Sequence, residues 1–243
     1  MASSLLHKSL GFVYWKLLGA VGITPEKKNL RYHRRRQAAL IEGYLKDHQI
    51  RKLQIGAQNN SIEGWLNVDI LPKSRSVCYL DATQTFPIAA DSFDYVFSEH
   101  MIEHITYEEA AFMLREVYRI LRPNGKIRLA TPDLDALAAL MNDPGSPDHT
   151  AYIGYYQQRF FPEKPAAAVY VVNRLFYGFH HRFIHNLQSL THLLQAAGFT
   201  HITRREVHES EDVHLQNLEQ HWREMGALPN RIESIIVEAV KLK

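Results

Sequence analysis

The pattern of apolar positions changes near residue 50. Before it, Leu6, Leu10, Val13 and Leu17 recur at helical spacing and predict an amphipathic helix. After it come short apolar runs separated by turns, in "KLQIG", "WLNVDI", "SVCYLD", "FDYVFS" and "KIRLAT". Runs of that length, alternating with turns and helices, predict buried strands of a mostly parallel sheet. The clearest helix is "TYEEAAFMLREVYRIL", which places Tyr107, Ala111, Leu114, Tyr118 and Leu121 on one face. Thr106 and Glu109 have the spacing of a capping box, and Glu108 adds negative charge to the first turn. Arg115, Arg119 and Arg122 suit the far end of the macrodipole. "RPNG" stops this helix, because Pro123 cannot continue it and Gly125 is free to turn. In "NLQSLTHLLQAAGF" a second helix is capped by Asn186, ended by Gly198, and turns Leu187, Leu190, Leu194 and Ala197 inward.

Two stretches interrupt the alternation. Residues 132–186 hold five prolines, and ten Tyr or Phe fall between Tyr152 and Phe183. Such a segment suits a substrate lid, a contact between two copies of the chain, or a local core for extra helices. Residues 209–230, "ESEDVHLQNLEQHWREMGALPN", mix acids with His214 and His221 and read as a solvated helical excursion. The organisation expected is an N-terminal helical extension with a basic segment over 1–50, then a main domain over 51–243 with its aromatic insertion.

At 243 residues and 46% hydrophobic content the chain can bury one large core. A formal net charge of +2 and a pI near 8.6 demand no polyanionic partner, and no nucleic acid is expected. The one cysteine, Cys78, rules out an intrachain disulfide and fits a reducing compartment, with cytoplasm the default. Lys8 and Lys16 interrupt the first apolar run, unlike a signal peptide, and no apolar stretch approaches the ~20 residues that span a bilayer. The first helix reads as packed on the main domain or, with "KKNLRYHRRR" downstream, as a peripheral membrane contact through residues 1–36.

"SEHMIEHI", residues 98–105, contains His100, Glu103 and His104 in the order H-x-x-E-H. Two imidazoles four apart on a helix can hold zinc, which raises the metalloprotease reading. The stretch, however, follows the buried-type strand "FDYVFS" and precedes the Thr106 cap. It therefore lies at the carboxyl end of a parallel strand, where open α/β sheets place ligands. On that placement no metal is expected, Ser98 to His100 face the ligand, and Glu103 and His104 turn toward the helix start.

Three segments in fixed order extend the picture: "LQIGAQNNSIEGWLNVDI", "YLDATQTFPIAADSFDYVFSEHMIEHI" and "AAFMLREVYRILRPNGKIRLATPDLD". Together they resemble the class I S-adenosylmethionine-dependent methyltransferases, especially their type 11 branch, over about Leu53 to Val240. With "AAGFTHITRREVHESED" and "SIIVEAVKLK" the chain is similar to predicted methyltransferases associated with polysaccharide or surface-glycan biosynthesis. The resemblance implies an α/β fold, a Rossmann-like seven-stranded mostly parallel sheet with an antiparallel last strand and helices on both faces. It implies S-adenosylmethionine as cofactor and a hydroxyl of a sugar, glycan intermediate or small metabolite as acceptor.

Carried over by position, Gly56 lets the backbone approach the methionine end of the cofactor, within a loop that includes Ala57 and Gln58. Asp69, followed by Ile70, accepts from the ribose hydroxyls, Asp81 accepts from the adenine amino group, and the Ala82 N–H addresses a ring nitrogen. Ser98, Glu99 and His100 form the rim near the sulfonium. His100 is the first candidate for a base, and His181, with its neighbours His180 and His185, the second. Asp69 and Asp81 also suit plain turns after strands. The loop "GAQNN" departs from the family's G-x-G, and Asn59 or Asn60 is expected to take its left-handed position. Only eight residues separate Gly56 from Trp65, fewer than a helical crossover needs, so the first helix is reduced. These departures keep a second reading in view, a catalytically silent binding partner in a glycan assembly system.

Overall fold

The computed structural model describes residues 25–242. The helix expected around Leu6 to Leu17, and with it most of the segment read as a membrane contact, lies outside the described residues. Helix α1 (Pro25–Asp47) leads into strands β1 (Lys52–Ile55), β2 (Leu66–Asp69), β3 (Cys78–Tyr79) and β4 (Phe93–Glu99). A short 3₁₀ turn (Ile102–His104) and α2 (Tyr107–Ile120) bring the chain to β5 (Leu121–Pro132). Helices α3 (Leu134–Asn142), α4 (Pro147–Phe160) and α5 (Ala168–Tyr177) leave the sheet, and α6 (Leu187–Ala197) returns to β6 (Thr200–Arg205). The short helices α7 (Trp222–Met225) and α8 (Ala227–Glu233) precede β7 (Ser234–Val240).

Seven strands pair in the order β3-β2-β1-β4-β5-β7-β6. The first five are parallel to their neighbours, and β7 runs antiparallel to both β5 and β6. This is the Rossmann-like α/β sheet that the strand pattern and the resemblance imply, and its order reverses between β1 and β4. No helix links β1 to β2. A tight turn does so instead, in which the Asn60 N–H donates to the Ala57 carbonyl at 2.6 Å.

The left-handed residues of that turn are Gly56 (φ 82°) and Gln58 (φ 40°), not Asn59 or Asn60. Tertiary hydrogen bonds decide this. The Gln58 N–H donates to Asp69 Oδ2, and the Asn60 carbonyl accepts from Gln54 Nε2, which ties both ends of the turn to the sheet. Gly56 is required twice, by its φ and because a Cβ there would lie 2.7 Å from the Met101 side chain.

The caps of α2 and α6 match expectation. Thr106 and Glu109 form a reciprocal capping box, Asn186 caps α6, and Gly198 ends it with φ 105°. The buried face of α2 is centred on Ala110, Met113, Leu114, Val117 and Ile120, slightly rotated from the predicted stripe, with Tyr107, Ala111 and Tyr118 flanking it. After α2 the left-handed position falls on Asn124 (φ 64°). Gly125 is small for a different reason, since a Cβ would sit 2.8 Å from the Arg122 carbonyl oxygen.

The two faces of the sheet differ in chemistry. Register places Leu53, Ile55, Val68, Val96, Ile127 and Leu129 on one face, in a core shared with α1, α2 and α6. Asn67, Gln54, Phe97, Arg128 and Glu238 form a row on the other. That row is covered by residues 206–221, so part of the 209–230 stretch read as solvated is packed against the sheet. Leu215 and Leu218 join Trp65 and Phe97, and Glu219, 2% exposed, pairs with the fully buried Arg128 at 2.6 Å. Charge pairing with a residue of β5 is invisible in the acidic composition of the segment.

Helices α3, α4 and α5 form a second core from Leu137, Leu140, Tyr152, Ile153, Tyr156, Val171 and Leu175, joined by Met225. Helix α1 docks beside β3: Arg34 donates to the Tyr79 hydroxyl and Arg36 to the Arg75 carbonyl. Among the described residues, no helix is long and apolar enough to cross a membrane.

Candidate functional site

β1, β4 and β5 end side by side at the reversal of strand order, and the insertion of α3 to α5 stands over that edge. Between them lies a cleft of about 410 Å³. Gly56 and Gln58 line it from the first loop, and Glu99, His100 and Pro132 from the strand ends. Glu103 and His104 enter from the 3₁₀ turn, Tyr156, Arg159, Phe160 and Phe179 to His181 from the insertion, and His221, Glu224, Met225 and Glu233 from the chain before β7.

Of the residues singled out from sequence, Gly56, Gln58, Glu99, His100 and His181 come together here. Ala57 is fully buried beneath the loop. Asp69 is 7% exposed, and its two oxygens accept from the backbone N–H groups of Gln58 and Leu71. Ile70 beside it is half exposed. Asp81 accepts from the Thr83 N–H and hydroxyl, and Ala82 is buried. Ser98 is buried with no hydrogen-bond partner from the protein for its hydroxyl. Glu99 accepts from the backbone N–H groups of Gln220 and His221, each at 2.9 Å, and so holds the 206–221 segment against the strand end.

His100 adopts a left-handed backbone (φ 45°) and stacks on His221, with ring centroids 3.9 Å apart. Its Nε2 lies 3.1 Å from Ser234 Oγ and its Nδ1 3.3 Å from Glu103 Oε1. Burial by itself would lower its pKa. Glu103, then Glu233 and Glu99, outweigh burial and raise it. His100 is thereby favoured as an imidazolium, which suits a donor better than a base. His181 is pushed the other way: burial lowers its pKa, opposed by Glu103, and keeps the imidazole neutral. His185 is fully buried outside the cleft, with its pKa lowered to about 4 by burial, and its Nδ1 lies 3.2 Å from Ser189 Oγ.

Glu103 and His104 do not anchor the helix start; Thr106 and Glu109 do that unaided. Glu103 is 0% exposed, and its Oε2 accepts from the Thr131 hydroxyl at 2.9 Å. Burial would raise its pKa, but contact with His100 and the charge of His104 hold it at about 2. Its backbone carbonyl accepts from the N–H groups of Arg182 and Phe183, which fastens the end of the insertion to the 3₁₀ turn and brings His181 alongside.

Sequence reasoning missed Glu233 and the role of His221. The Glu233 Oε2 accepts from the hydroxyls of Tyr152 at 2.5 Å and Tyr156 at 3.0 Å, and Oε1 lies 3.1 Å from His221 Nε2. Burial opposes the charge of Glu233, but His221, His100 and Tyr152 together lower its pKa. His221 stood in a stretch whose acids and histidines implied solvent, and Glu233 carried no local signal.

Residues 63–129 match a family model described as Methyltransferase domain, a segment running from just before β2 into β5. No curated protein matches the chain. Solved structures with a similar chain path include phosphoethanolamine N-methyltransferase 2 of Haemonchus contortus, bound to phosphomonomethylethanolamine and S-adenosylhomocysteine. It is 16% identical, with a TM-score of 0.44 over 84% of this chain and 52% of that one. A SAM-dependent methyltransferase from Archaeoglobus fulgidus is 18% identical, with a TM-score of 0.46 over 86% and 94% of the respective chains. The chain thus spans about half the length of the first of these.

Proposed function

We propose that this chain is an S-adenosylmethionine-dependent methyltransferase acting on a hydroxyl of a small acceptor, a sugar or glycan intermediate. The observation that carries the reading is the cleft at the reversal of strand order. It joins the Gly56–Gln58 loop to a wall of aromatic and titratable side chains. The methyltransferase family match over residues 63–129 supports it.

The residues present fit the cofactor. Gly56 and Gln58 offer backbone at the methionine end. Each Asp69 oxygen accepts one backbone N–H, which leaves further lone pairs for ribose hydroxyls. When bound, the sulfonium supplies an activated methyl group, so the protein's task is alignment and exclusion of water. Tyr156, Phe160 and Phe179 give the acceptor an aromatic wall of the kind on which sugar rings stack. His181, on that wall with its pKa lowered, is the imidazole able to take the acceptor's proton, while the carboxylates around His100 raise its pKa.

Calorimetric titration with S-adenosylmethionine and its demethylated product tests the reading, with one site per chain expected. Folded protein that gives no heat at millimolar ligand would overturn it in favour of the silent binding partner. Asp69→Ala should abolish the affinity without unfolding the chain, because it removes the ribose acceptor and releases the Gln58 N–H.

A further inference from the structure

Two groups of histidine and carboxylate side chains in the cleft bring three ligand atoms within 4.8 Å of one another: His100, His221 and Glu233 in one, and Glu103, His104 and His181 in the other. Their hydrogen bonds separate them. In the first group His100 Nε2 lies 3.1 Å from Ser234 Oγ, and His221 Nε2 lies 3.1 Å from Glu233 Oε1. Two tyrosine hydroxyls donate to Glu233 Oε2. Each residue of that group makes at least one side-chain hydrogen bond.

In the second group Glu103 Oε1 and His181 Nδ1 are buried without a hydrogen-bond partner from the protein, and neither ring nitrogen of His104 makes a hydrogen bond within the described protein. The 3.3 Å approach of His100 to Glu103 Oε1 is a charge contact without hydrogen-bond alignment. Oε1 of this carboxylate, which is 0% exposed, faces the His100 ring without accepting a hydrogen bond, so its acceptor capacity is still free for a ligand. Its other oxygen is held by the Thr131 hydroxyl, the kind of outer contact that orients a metal-binding carboxylate.

We propose that Glu103, His104 and His181 bind a divalent transition-metal ion, for which zinc is the probe. Two imidazoles and one carboxylate are a known ligand set for zinc and ferrous iron in sites that keep positions open. Here the open positions face the cleft that all three residues line. Tetrahedral ligands at ~2.1 Å from zinc stand about 3.4 Å apart, so the observed spacing of up to 4.8 Å closes by side-chain rotation of an ångström or so. The H-x-x-E-H motif contributes only its last two residues. The third ligand comes from 77 positions beyond His104, held in place by the Arg182 and Phe183 N–H bonds to the Glu103 carbonyl. With an ion bound, His181 becomes a ligand, and the ion takes over the lowering of an acceptor hydroxyl's pKa.

The test is zinc binding to the chelator-stripped full chain, by competition with a chromophoric chelator, together with cobalt substitution read by its visible absorption. One ion per chain is expected. Glu103→Gln, His104→Ala and His181→Ala should each weaken it by ten- to a hundredfold, and His221→Ala by less than about threefold on the same scale. His104 is partly exposed, so that variant stays informative if the buried ones fail to fold. Absence of zinc binding at micromolar concentration by folded protein would overturn the proposal, as would binding lost in His221→Ala but kept in His104→Ala. No methyl donor enters the measurement, so its outcome and that of the cofactor titration are independent.

Discussion

His221 and Glu233 on one side of the cleft, and His181 and Glu103 on the other, use the same two functional groups to opposite ends. Glu233 has tyrosine hydroxyls on one oxygen and an imidazole on the other, and both tyrosines belong to the core of the insertion. Glu103 has one hydroxyl on one oxygen and, on the other, only the His100 ring at 3.3 Å without an aligned hydrogen bond. A buried carboxylate whose donors are all supplied by the fold is a fastening between elements; one that is partly supplied is a place for a ligand. Composition and local spacing do not distinguish the two, because the difference lies entirely in which donors the rest of the chain delivers.

The largest expected difference is in stability. Glu233→Ala strands two buried tyrosine hydroxyls and the His221 ring, and should cost about 3–5 kcal/mol in urea unfolding. Glu103→Gln keeps an acceptor for Thr131 but removes the charge facing His100, and should cost about 3 kcal/mol or less, below the loss for Glu233→Ala. Equal losses would erase the distinction between fastening and ligand site.

Acid should come next. His185 has its pKa lowered to about 4 and His181 is lowered as well, so both fold as neutral imidazoles. Groups of this sign contribute stability that is present above the ordinary histidine pKa and is lost as pH falls from about 6.5 toward 4. For His185 the loss should reach about 3 kcal/mol, and His185→Gln should flatten the curve. Glu103, held at about 2, keeps its charge through that window and gives up its contribution only between its ordinary pKa of 4.5 and about 2. Urea midpoints at intervals from pH 7 to pH 4 check the assignment; a profile unchanged by His185→Gln would defeat it.

Smaller effects sharpen the contrast. Tyr156→Phe removes one of the two hydroxyl donors to Glu233 and should cost about 1 kcal/mol, with Glu233 still held by Tyr152 and His221. His104→Ala, at a partly exposed ring without hydrogen bonds, should shift stability by less than about 0.5 kcal/mol while weakening zinc. A stability loss as large as that of Tyr156→Phe would place His104 among the fastenings.

Much of the scaffold was legible in the chain. The strand runs, the Thr106–Glu109 and Asn186 caps, the Gly198 stop and the missing first crossover helix all rest on propensities acting within a few residues. Reading failed where distant residues intervene. Residues 206–221 are acidic yet packed, since Arg128 on β5 meets Glu219 and Glu238. Gln58, not an asparagine, turns left-handed because Asp69 fixes its N–H.

The sequence by itself therefore determined the Rossmann-like order of elements, the placement of "SEHMIEHI" at a strand end and the aromatic character of the wall opposite. Hydrophobic period and capping need only near neighbours. Tertiary structure alone decided that the pKa of His100 is raised and that of His181 lowered, and that Glu103 and His104 look into the cleft with His181 beside them. Burial, ion pairing and hydrogen-bond completion are set by elements from opposite ends of the chain, and no local spacing encodes them.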